Sequence, residues 1–100
     1  MIEKYIEILH GKIHKMLYIY EETPASFPIY AKNLAIEIKG AIVTFPKLKT
    51  ERSYIDILNI VNFFVENECN HDVLWKQILR CHDLLDRIWI EDIKEDIEEV

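Results

Sequence analysis

The spacing of its large apolar residues constrains this chain more than any other feature. Ile2, Ile6, Leu9, Ile13, Met16 and Tyr20 advance in steps of four and three. Such steps keep one stripe of a helix turned toward a core, and would scatter the same side chains over both faces of a strand. Leu34, Ile38, Ala41 and Phe45 repeat the pattern, as do Leu74, Ile78, Cys81, Leu85 and Ile88. Between them, residues 54–65 are apolar except for Asp56, Asn59 and Asn62, a narrow polar strip at intervals of three, which predicts that this third segment is the most buried. The abundant isoleucine favours strands by propensity alone. A period near 3.5 in all four segments overrides it.

The breaks between segments are few. With two Gly and three Pro in 100 residues, the chain lacks the turn residues of a sandwich or barrel. Thr23-Pro24-Ala25-Ser26 interrupts the first stripe, and Phe27-Pro28 opens the second with proline near the first helical position, where its missing N–H costs nothing. Pro46 ends the second. Ser53 followed three residues later by Asp56 has the form of a capping box for the third, and Asn70 with Asp72 offers caps for the fourth. The reading is all-α: an antiparallel up-down-up-down four-helix bundle over residues 1–90, with helices at about 2–22, 28–45, 51–67 and 72–90, and an acidic amphipathic extension of the last helix over residues 91–100.

Twelve Lys and Arg against 18 Asp and Glu leave a net charge of −6, which repels phosphate at long range and excludes a general nucleic-acid binder. The imbalance is terminal: residues 91–99 hold six acids (Glu91, Asp92, Glu95, Asp96, Glu98 and Glu99) and one base, Lys94. No apolar run approaches the ~20 residues of a bilayer crossing. The first ten residues alternate charge with Ile and do not resemble a signal peptide. Cytoplasmic location, no membrane insertion and two free thiols at Cys69 and Cys81 are therefore expected.

Catalytic parts are scarce. Gly11 and Gly40 both fall inside helical segments, so no phosphate-cradling loop exists, and no carboxylate pair is placed on an apolar face where desolvation would tune it for proton transfer. No catalytic residue and no cofactor is assigned. Glu7-x-x-His10 and Glu68-x-x-His71 have the spacing of carboxylate-bridged di-metal bundles, but fall at opposite ends of the predicted bundle. Glu3, Glu7, His10 and His14 flank the first core stripe and read as a solvated face, with His10 and His14 alone able to hold zinc only weakly. Cys81 and His82, adjacent on a helix, point about 100° apart and do not converge on one ion. No metal ligand is assigned.

By elimination the sequence reads as a small protein-binding module that occupies a partner's surface. In size and layout alone it resembles immunity proteins, antitoxin subunits and phage-encoded inhibitors of host enzymes. The expected contact residues are Ile90, Ile93 and Ile97 as an apolar ridge, Glu91, Glu95, Asp96, Glu98 and Glu99 as its acidic flank, and Trp75 and Trp89, which with His82 recur every seven residues. Such a surface fits a partner with a basic groove. Three alternatives accompany this reading: a nucleic-acid mimic, a weak metal-binding bundle built on His10 and His14, and a homodimer.

Overall fold

The computed structural model describes residues 2–88. Four helices make up nearly all of it: α1 (Ile2–Glu22), α2 (Phe27–Thr44), α3 (Arg52–Glu66) and α4 (His71–Arg87), with short 3-10 turns at Pro24–Ser26 and Pro46–Thr50. No strand occurs among the described residues. No described helix is long and apolar enough to cross a membrane.

Each helix end has a local cause. Phe45, forced out of the helical region by the ring of Pro46, sits at φ −124°, ψ 79°, while its N–H still reaches the Ala41 carbonyl. Asn70 stands in extended conformation before α4 and accepts the Val73 N–H through Oδ1 at 2.9 Å, as the sequence suggested. The capping box expected at Ser53 does not form. The Pro46–Thr50 turn holds Glu51 by a bond from its N–H to the Leu48 carbonyl (3.2 Å), so α3 opens at Arg52 and Ser53 lies inside its first turn.

The buried stripes are those that the periodicity indicated. Ile6, Leu9, Ile13 and Met16 of α1 face Leu34 and Ile38 of α2, Tyr54, Ile57, Val61 and Phe64 of α3, and Leu74, Ile78, Cys81, Leu85 and Ile88 at the end of the chain's last described helix, all in one core. The third helix is the least exposed of the four, with five of its fifteen residues exposed, as the sequence suggested. Phe63 is 46% exposed, and α2 contributes the broader buried face because Ala31, Ala35 and Ala41 pack into the core beside its larger residues. Small side chains add little to an apolar pattern in sequence, yet let a helix approach its neighbours closely.

Tyrosine hydroxyls tie the helices together. The Tyr54 ring is fully buried; its hydroxyl donates to the Ile38 carbonyl at 2.6 Å and meets the Tyr5 hydroxyl at 2.9 Å, joining α3, α2 and α1. Tyr30 donates to the Lys12 carbonyl (2.7 Å) and Tyr20 to the Cys69 carbonyl (3.1 Å). No buried side-chain nitrogen or oxygen lacks a partner among the described residues. Lys12–Glu37, at 2.6 Å between α1 and α2, is about 40% exposed at both ends and contributes roughly 0 to 1 kcal/mol.

Tyr54→Phe removes one hydroxyl from this junction and leaves that of half-buried Tyr5 with one partner fewer. The expected loss is about 1–2 kcal/mol, seen in thermal unfolding as a drop of roughly 4–16 °C. Tyr5→Phe, at the more accessible end, should cost less; an equal or larger loss would show that the Tyr54–Ile38 bond is not the main contribution.

Candidate metal centre

The rotation of α1 and α4 about their axes is set by the stripes they bury. On α1, with Ile6, Leu9 and Ile13 in the core, His10 and His14 fall on one flank, a turn apart. On α4, Cys81 is in the core and His82, the next residue, is turned about 100° away. That flank of α4 faces the histidine flank of α1. The His82 ring lies 3.8 Å from His10 and 4.0 Å from His14, centroid to centroid, and His10 and His14 are 5.5 Å apart, all three edge-on to one another. One ring nitrogen from each lies within 4.8 Å of the other two, and Nε2 of His14 and Nε2 of His82 are in direct contact.

Electrostatics favours the neutral imidazole at the centre of this group. Desolvation, and then the neighbouring His10 and His14, hold His82 below the ordinary histidine value, against the opposing pull of Asp86 and Asp83. A neutral imidazole keeps the lone pair that a metal requires. His10 and His82 are half-buried and His14 is exposed. No fourth His, Cys, Asp or Glu joins the cluster among the described residues. Beside His10 a groove of about 460 Å³ opens between Glu3, Lys4 and Glu7 of α1 and Leu85 and Asp86 of α4.

The other candidates from the sequence are dispersed. Glu7 lines the groove without joining the cluster. His71 of the second Glu-x-x-His pair bonds Glu21 at 2.9 Å, where the end of α1 meets the start of α4, far along the pair from Glu7. Cys69 is half-buried with its thiol pKa raised by desolvation, and Cys81 is buried with its thiol pushed up to about 12 by the same cause. Trp75 is 40% exposed and Leu79, one turn on, 45%. Trp89, Ile90, Glu91, Ile93, Glu95, Asp96, Ile97, Glu98 and Glu99 lie outside the described residues. The sequence reading grouped His82 with the tryptophans of its own helix; its proximity to His10 and His14 was missed.

No protein-family model matches this chain, and neither a curated protein nor a solved structure is found to be similar to it.

The two thiols differ in accessibility, and alkylation should separate them. Under native conditions Cys69 reacts first, and Cys81, 1% exposed, reacts only through opening of the fold, at least about a hundredfold more slowly. Peptide mapping after timed iodoacetamide treatment measures this. Comparable labelling of both would contradict the burial of Cys81.

Proposed function

We propose that the protein binds one transition-metal ion of the zinc class through His10, His14 and His82, in a bundle whose helices run up, down, up and down. The convergence of three imidazole nitrogens from two helices carries this reading. Around a tetrahedral zinc with Zn–N bonds of 2.0–2.1 Å, ligand nitrogens stand about 3.3 Å apart, within the 4.8 Å that already encloses one nitrogen of each ring. Nitrogen-only donors select Zn²⁺, Cu²⁺, Ni²⁺ or Co²⁺ over Mg²⁺ and Ca²⁺, which require oxygen. Three protein ligands leave a position for water or an external donor, unlike a closed structural site.

Such an ion bridges the first and last helices, whose ligands are 68 residues apart at His14 and His82. Metal binding is thereby linked to stability, because the unfolded chain does not hold the third ligand near the other two. Protons compete for the same lone pairs, so affinity falls as the pH is lowered.

A second reading, occupation of a partner protein's surface, is supported by the exposure of Trp75 and Leu79 on the same flank of α4. A partner engaging the acidic residues after position 88 would be basic. Undiminished recovery of the same partners by a Trp75→Ala, Leu79→Ser variant would sink this second reading.

Calorimetry on chelator-stripped protein tests the first. One equivalent of Zn²⁺ should bind with micromolar or tighter affinity, about −8 kcal/mol. At a hundredfold excess over the dissociation constant it should add about 2.7 kcal/mol of stability, a rise of roughly 10–20 °C in Tm. Mg²⁺ should do nothing. His82→Ala should weaken binding at least about tenfold and abolish the rise in Tm; unchanged Zn²⁺ affinity in that variant would refute the site.

A further inference from the structure

A second surface stands apart from the histidines. On α2, Ile29, Ile36 and Val43 follow one another at intervals of seven and are 65%, 60% and 84% exposed, on the side away from the buried Leu34 and Ile38. Lys32 and Lys39 run beside them at the same interval, both exposed. Together with Leu58, Asn62 and Val65 of α3, Lys32, Ile36 and Lys39 line a shallow groove of about 170 Å³. The one acid on α2, Glu37, is paired with Lys12. The surface is thus apolar along its ridge and basic along its edge. Three large aliphatic residues exposed in a row on a chain of this size mark an interaction surface.

The chain itself carries the complementary sequence. Ile90, Ile93 and Ile97 recur at helical spacing among six acids and one base. Ile90 and Ile97 are separated by the same interval of seven as Ile29, Ile36 and Val43. We propose that the exposed face of α2 receives residues 90–100 of a second copy of this chain. Pairing of two α2 faces with each other would bring four lysines together and is disfavoured. Docking within one chain would require residues 89–100 to cross from the side of the bundle that α4 occupies to the outer face of α2. α4 packs on α1 and α3, which leaves α2 on the other side of the bundle. Reciprocal exchange of the two acidic segments closes a twofold dimer. Apolar contact supplies the affinity, and the opposite charges fix orientation and register. This inference is independent of the metal reading.

Sedimentation of the full chain tests it, with EDTA present so that no shared metal links the copies. At about 100 µM the protein should be dimeric in about 50 mM salt, and the dimer should weaken roughly tenfold in about 500 mM salt as the charges are screened. Lys32→Glu with Lys39→Glu should give a monomer, and so should Glu91→Lys with Glu95→Lys and Glu98→Lys. Mixing the two variants should restore a 1:1 heterodimer, which also shows that both are folded. A wild-type monomer under these conditions, a dimer insensitive to Lys32→Glu with Lys39→Glu, or failure of the mixture to associate would each overturn the proposal.

Discussion

The desolvation of one apolar stripe per helix determines how each helix is rotated about its own axis, and the remaining features follow from that rotation. With Leu9 and Ile13 in the core, His10 and His14 have one flank of α1 available to them; with Cys81 and Leu85 in the core, His82 has one flank of α4. Each buried aliphatic side chain contributes about 1.5–3 kcal/mol, more than a surface ion pair or an exposed imidazole contact. The histidines therefore go where the core sends them. Their convergence is a consequence of packing, and desolvation first, then the nearby His10 and His14, lowers the pKa of His82.

The exposed face of α2 has the same physical cause. Its buried side, with Phe27, Ala31, Leu34, Ala35, Ile38 and Ala41, faces inward so completely that Ile29, Ile36 and Val43 have no room in the core. A helix apolar on two sides buries one and presents the other. The tyrosine hydroxyls then select among packings that the stripes alone allow. Tyr54, bonded to Ile38 and Tyr5, accepts only an arrangement in which α1, α2 and α3 meet at one point. Buried polar groups with satisfied partners are costly to misplace, which gives the core specificity beyond what aliphatic contacts supply.

Much of the fold was legible because it rests on local periodicity. The stripes of α1 and α4, the proline breaks and the Asn70 cap all depend on residues within a few positions of one another. One error arose where local signals compete. Ser53 and Asp56 form a plausible capping box, but the hydrogen-bonded turn at Pro46–Thr50 had already placed the start of α3. Residues 54–65 are the most apolar stretch to read, and α3 is accordingly the least exposed helix, whereas Ala31 and Ala35 of α2 add little to an apolar pattern and yet join the core.

By itself the sequence determined which residues enter the core, where the chain breaks, and that His10 and His14 share a flank, because all of these follow from the 3.6-residue turn of a single helix. A sequence signal for the third histidine exists only with hindsight: His82 lies eleven residues into α4 from His71, as His10 lies eleven residues back along α1 from Glu21, the residue that His71 bonds. Knowing that register required knowing which end of α1 meets α4 and at what height, which no local pattern encodes. Tertiary structure alone decided it, through the packing of two stripes separated by half the chain.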